Sequence, residues 1–168
     1  MTERKTIKTP EFRLSWPKLN KPDEESGKFQ CTAIFEPGTD IEALKAVANE
    51  AITEFFGDKV PKNLFNPFMD GNEKVENGGG PEYVDATYVN FKTQYQPTML
   101  DTDGEEIIDP MTMYAGCYCR AIIHAYAYDN KTKGVGFTLH AVKKTRDGER
   151  LGGKGMNANQ ARKAFEDE

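Results

Sequence analysis

From Cys117 to Tyr128 the chain alternates without a break: Cys117, Cys119, Ala121, Ile123, Ala125 and Ala127 take one side, and Tyr118, Arg120, Ile122, His124, Tyr126 and Tyr128 the other. A period of two sustained this long belongs to a β-strand with a small, apolar inner side and a second side turned outward. Asp129-Asn-Lys-Thr-Lys-Gly134 supplies a turn, after which Val135, Phe137, Leu139 and Ala141 alternate with Gly136, Thr138 and His140. Lys143, Lys144 and Arg146 then lead to an Asp147-Gly148 turn. Two long strands joined by a short turn commit this half of the chain to an antiparallel hairpin, and the rest must build a sheet around it.

Upstream, Phe12, Leu14 and Trp16 alternate with Glu11, Arg13 and Ser15 until Pro17. Lys28 to Glu36 alternates again with Phe29, Cys31, Ala33 and Phe35 on one face. Both read as half-buried strands, separated by the turn-rich NKPDEESG. Thr39 and Glu42 have capping-box spacing, and Ile41, Leu44, Val47, Ala48, Ala51, Ile52 and Phe55 follow at helical spacing to Gly57, which predicts one amphipathic helix over 40–56. Residues 57–82 hold three prolines and Asn77-Gly-Gly-Gly-Pro81 with no sustained period, and read as an irregular excursion. Aromatic and β-branched residues dominate Tyr83 to Tyr95, and Asp103-Gly104 is a hairpin-type turn signal.

A length of 168 residues suits one compact domain over 1–153, followed by a flexible C-terminal tail with an acidic tip over 154–168. About five strands with one inserted helix fit a mainly β, OB-fold-like, five-stranded curved barrel; a sandwich has a similar strand count. No apolar stretch approaches the roughly 20 residues that span a bilayer, and the opening MTERKTIK lacks a signal-peptide core. Three cysteines, Cys31, Cys117 and Cys119, are an odd count and point to reduced thiols in a cytosol.

A net charge of −5 argues at first against a nucleic-acid partner, yet the charge is segregated: residues 1–35, 36–109, 110–164 and 165–168 carry +2, −11, +7 and −3. Such a chain presents a basic surface from its later strands and keeps its acidic middle elsewhere. The outward side of 117–128 places Tyr118, Tyr126 and Tyr128 with Arg120 and His124 on one strand. Rings interleaved with cations stack unpaired bases while the cations meet phosphate; tyrosine also simply covers half-buried sheets, and the strand alone does not separate the two uses. Tyr88, Lys92 and Tyr95 on the preceding strand, and Lys131, Lys133, Lys143, Lys144 and Arg146 near the hairpin ends, repeat the combination.

Other chemistries find little footing. Cys117 and Cys119 point away from His124, and no zinc-ligand spacing occurs, so no metal site is expected. The run Asp101 to Asp109 resembles a calcium loop, but Gly104 is out of place and a solvated hairpin turn explains it. No phosphate-binding loop, nucleophile elbow or zincin motif is present, and two histidines leave few bases for a triad, which argues against an enzyme and against any cofactor. The tip Phe165, Glu166, Asp167 and Glu168 joins one ring to three carboxylates, as a partner-docking tail or a frayed end would.

In Tyr114-Ala-Gly-Cys-Tyr-Cys-Arg-Ala121, Ala125-Tyr-Ala-Tyr-Asp-Asn130, Lys133-Gly-Val-Gly-Phe137 and Arg146-Asp-Gly-Glu-Arg-Leu-Gly-Gly153, with Thr9-Pro-Glu-Phe-Arg-Leu-Ser15 at the start, the chain resembles a family of bacteriophage single-stranded-DNA-binding proteins long catalogued only as a domain of unknown function. The likeness spans roughly residues 7–153. It implies an OB fold, non-catalytic and largely sequence-independent coating of single-stranded DNA, and service in phage replication or recombination in the cytoplasm of an infected bacterium. Related helix-destabilising proteins recruit polymerase through an acidic, Phe-containing tail and often form homodimers; here Phe165 is followed by three acids rather than closing the chain. The reading competing with it is a protein-interaction module, a virion component or host-enzyme inhibitor, that uses the exposed tyrosines on a protein. A metal-dependent nuclease using Asp101, Asp103 and Asp109 is more remote.

Overall fold

The computed structural model describes residues 6–151 and 158–166, with the backbone alone at Pro110 and 158–161. Eight strands join one sheet: β1 (Ile7–Lys8), β2 (Phe12–Lys18), β3 (Phe29–Phe35), β4 (Met69–Asp70), β5 (Thr87–Thr93), β6 (Thr98–Leu100), β7 (Tyr118–Asp129) and β8 (Lys133–Arg146). Five of them close a ring. β2 pairs β3, β3 pairs β5, β5 pairs β8 in parallel, β8 pairs β7, and β7 returns to β2. The three shortest strands extend it, β1 on β7, β4 on β5 and β6 on β8. Closure removes the exposed edges that an open sheet of this size would leave.

The inward sides of the ring fill its interior with Phe12, Leu14, Ala33, Phe35, Phe91, Ile123 and Phe137, all essentially inaccessible. Phe12 meets Phe35 and Phe91 edge to face at 5.8 and 5.9 Å, and Phe91 meets Phe137 at 6.0 Å. Such pairs contribute about 0.5–1.5 kcal/mol beyond their area. The helix α1 (Glu42–Phe56) packs against the barrel through Leu44 and Ala48. Cys31, Cys117 and Cys119 are free thiols on the inner side, and burial pushes the Cys31 thiol up to about 12.

Several local expectations change. The capping box is not formed: Thr39 makes no cap contact, and Asp40 Oδ1 instead accepts from the Glu42 amide at 3.1 Å. The 57–82 segment is more regular than its sequence promises, holding β4, the short helix α2 (Gly71–Glu76) and a 3₁₀ turn over Pro81–Tyr83. Pieces this short leave no readable period, and Asp70 caps α2 by accepting from the Asn72 amide at 2.9 Å. Together they cover the outer face of β3, where Ile34, Tyr83 and Ala86 make a second small core.

Strand β2 continues through Pro17, and Trp16 is 66% exposed rather than packed beside Phe12 and Leu14. A bulge between Ser15 and Lys18 turns it out. Within the C-terminal tail, residues 158–166 form the helix α3 (Ala158–Glu166). Among the described residues no helix is long and apolar enough to cross a membrane.

Candidate nucleic-acid interface

The β7–β8 register decides which side chains share the outer surface. Tyr128 lies opposite Gly134, Tyr126 opposite Gly136, and His124 opposite Thr138. A Cβ on Gly136 would stand 3.0 Å from Tyr126 Oη, and one on Gly134 would stand 2.9 Å from Tyr128 Oη and 2.8 Å from Phe65 Cβ. The two rings therefore lie down across β8 in space that only glycine leaves open. Their centroids are 6.0 Å apart at 43°, and His124 follows 6.4 Å from Tyr126. His124 Nδ1 and His140 Nε2 are 2.6 Å apart. Burial, then the neighbouring Tyr128 hydroxyl, holds the Tyr126 phenol above its ordinary range, so it stays neutral and uncharged toward phosphate at physiological pH.

Phe65 joins these rings from the loop after α1. Its amide donates to the Lys133 carbonyl at 2.9 Å, which fixes the ring above the hairpin, where it is about half exposed. Two hollows border these rings. The larger, about 680 Å³, is bordered by Lys28, Lys92, Tyr95, His124, Tyr126 and His140. The smaller, about 120 Å³, lies between Phe65, Asn90, Lys92, Tyr126 and Tyr128. Lys92 and Tyr126 border both, so the hollows form one track lined by rings and a central cation.

The twelve residues expected to contact nucleic acid divide into groups. Tyr126, Tyr128, Lys92 and Tyr95 meet in the track, and Lys131 and Lys133 flank it at the exposed β7–β8 turn. Tyr88 is near but partly covered, its ring 5.3 Å edge to face from Tyr83, with Lys74 Nζ 5.9 Å above it. Tyr118, Arg120, Lys143 and Arg146 lie at the other end of the hairpin; the eight positions from Tyr118 to Tyr126 amount to about 26 Å along an extended strand.

There Tyr118, Arg120 and Arg146 are engaged with the protein itself, while Lys143 is exposed. Arg146 stacks 3.7 Å over the Tyr118 ring and pairs with Glu11 at 3.1 Å. Arg120 Nε donates to the Thr9 carbonyl at 2.8 Å. The Thr145 hydroxyl, and after it Arg146, hold the Glu11 carboxyl below its ordinary value.

Lys144 is a correction. Expected among the phosphate contacts, it is buried on the core side, with Nζ 2.6 Å from Asp147 Oδ1 and 5.0 Å from the Tyr114 ring centroid. The cause is a bulge at His140: Ile122 pairs Ala141 while Ile123 pairs Leu139, so the outward positions shift from 136 and 138 to 141 and 143. Ala141, read as inward, is turned outward for the same reason.

Phe65, Lys28 and Asn90 fall outside the expected set. Phe65 sits in a segment without period, whereas the Gly134 and Gly136 pair, spaced like the two tyrosines, is a readable sign that rings need room there. The acidic hairpin after β6 is set apart from the track, because Leu100 pairs Lys143 at the far end of β8.

The family model described as Enterobacter phage Enc34, ssDNA-binding protein matches residues 5–168. The chain belongs to the Enc34 ssDNA-binding protein family. Putative protein p50 of Acyrthosiphon pisum secondary endosymbiont phage 1 is 31% identical over 170 residues, covering 89% of this chain and 88% of that protein. The single-stranded DNA-binding protein from bacteriophage Enc34 in complex with ssDNA has a TM-score of 0.73 at 23% identity, over 88% of this chain and 89% of that one. Gp2.5, a single-stranded DNA binding protein encoded by bacteriophage T7, has a TM-score of 0.62 at 15% identity, over 94% and 97%. The Enc34-type fold thus accounts for nearly the whole chain.

Proposed function

We propose that the chain is a single-stranded-DNA-binding protein of phage replication or recombination, which holds unpaired bases on Tyr126 and Tyr128 and their phosphates on Lys92, Lys131 and Lys133. The observation that carries this reading is the pair of rings laid across Gly134 and Gly136 beside an exposed lysine, on the outside of a closed barrel. Rings accept any base, because every base has a π-face, so the binding is non-catalytic and tolerant of sequence. Tyr95, Phe65 and Lys28 complete the track, with Tyr88 at its margin. Lys143 and Arg120 offer a secondary basic surface, and Tyr118 and Arg146 serve it once Glu11 releases Arg146.

The binding unit is residues 1–153, and residues 154–168 form an appended tail. Phe165 and Glu166 are exposed at the end of α3, while Asp167 and Glu168 lie outside the described residues. The tail is read as a docking segment for replication or recombination proteins, and a homodimer as the working unit, in the host cytoplasm. Fluorescence anisotropy of a labelled dT strand of about 30 nucleotides, against duplex and RNA of equal length, tests the reading. Preference for the single strand is expected, with log K falling against log[salt] by about 0.7 per phosphate contacted. Equal affinity for duplex, or no salt response, would contradict it.

A further inference from the structure

Trp16 is the one tryptophan of the chain, and its ring stands outside the barrel core, with its side chain hydrogen-bonded to Tyr83 of the small outer core. It is 66% exposed and holds a left-handed φ of 46°. A bulky residue keeps such a conformation only where its surroundings impose it, and such sites concentrate at functional surfaces. The imposition is visible. Ser15 pairs Thr32 and Lys18 pairs Gln30, so Trp16 and Pro17 together face Cys31 alone. Ser15 is held by its hydroxyl, 3.1 Å from Tyr83 Oη. Without the bulge the alternation would bury the indole with Phe12 and Leu14, the larger gain for folding.

The register shows where the expelled ring stands. Lys18 pairs Gln30, Gln30 pairs Lys92, Lys92 pairs Thr138 and Thr138 pairs His124, an unbroken row across β2, β3, β5, β8 and β7. At about 4.8 Å per strand the row measures about 19 Å along the curved sheet, the path of roughly six stacked nucleotides at a rise of about 3.4 Å. Trp16 is beside one end of the row, and Tyr126 beside the other. Between them lie Asn90, whose Oδ1 accepts from the buried Thr32 hydroxyl at 2.7 Å, and the exposed Lys92 in the middle.

We propose that Trp16 is a second base-stacking platform, so that a single strand crosses the barrel from Tyr126 over Lys92 to Trp16, perpendicular to the strands, with Lys18 on a phosphate at that end. This deepens the single-stranded-DNA reading and rests on it. Because Trp16 is the sole tryptophan, indole fluorescence reports this position and nothing else.

The test is a titration of the full-length protein with dT15, reading indole emission, acrylamide quenching and the anisotropy of a labelled dT15 in parallel. Expected are loss of emission that saturates with the anisotropy, protection of the indole from acrylamide, an affinity about five- to hundredfold lower in Trp16→Ala, and retention of most of it in Trp16→Phe. Anisotropy that saturates while the indole stays open to acrylamide overturns the proposal, as does wild-type affinity in a folded Trp16→Ala variant. If that variant does not fold, acrylamide protection in the wild type decides. Absence of any dT15 binding overturns the functional reading and this proposal together.

Discussion

Single residues decide what the outer surface can do. Tyr126 lies flat because Gly136 has no side chain, which makes the two positions one unit. Tyr126→Ala is expected to weaken dT binding by roughly 1–3 kcal/mol with its melting temperature nearly unchanged. Gly136→Ala places a methyl group against the phenol and should weaken binding too, yet add little when Tyr126 is already Ala; a double-mutant cycle by anisotropy measures this coupling.

Two carboxyls set an acid limit on stability. The Lys144 ammonium, and then the Tyr114 hydroxyl, hold Asp147 below its ordinary value of 3.8, and Thr145 and Arg146 hold Glu11 below 4.5. A carboxyl whose folded pKa is lowered stabilises the fold above its unfolded pKa and loses that contribution as pH falls through the folded one. Melting temperature should therefore hold above about pH 5 and fall below it. Asp147→Asn is expected to lower the melting temperature at pH 7, because it strips the partner from a buried ammonium, and to shallow the fall in acid.

At the scale of elements, the sequence is most informative where a period runs long. The alternation of β7 and the spacing of α1 predict both elements to within a residue or two, and the tyrosines of β7 are on the predicted face. What escapes is the bulge, because one extra residue leaves no mark in composition yet reverses every side chain after it. The bulge at His140 buries Lys144 and the bulge after Ser15 exposes Trp16. Phe65 is illegible for another reason: it reaches the track through a backbone bond to Lys133, between segments far apart in sequence. The packing of α1 against the barrel is testable by Leu44→Ala, which removes a fully buried side chain and should cost about 2–5 kcal/mol in a urea titration.

For the whole molecule, a net charge of −5 coexists with an anionic partner because the two signs occupy different elements. Lysines of the β7–β8 turn flank the track, while the acidic hairpin after β6 sits beside Lys143 at the far end of β8. Local potential rather than net charge governs association with a polyanion, so steering persists on an acidic protein. Replacing Lys131 and Lys133 together with Gln should lower the salt slope of dT binding by about 1.4, at about 0.7 for each phosphate that is no longer neutralised. The same pair of substitutions should leave melting temperature unchanged, since both side chains are exposed.

The central claim is that the rings of Tyr126 and Tyr128 carry the single strand. Anisotropy of labelled dT30 with the Tyr126→Ala/Tyr128→Ala protein, its folding verified by circular dichroism, tests that most directly. A loss of affinity of at least tenfold at moderate salt is predicted, since two stacked bases contribute about 2 kcal/mol or more together. A folded double variant that binds dT30 as tightly as the wild type would contradict the account and move the site elsewhere on the barrel.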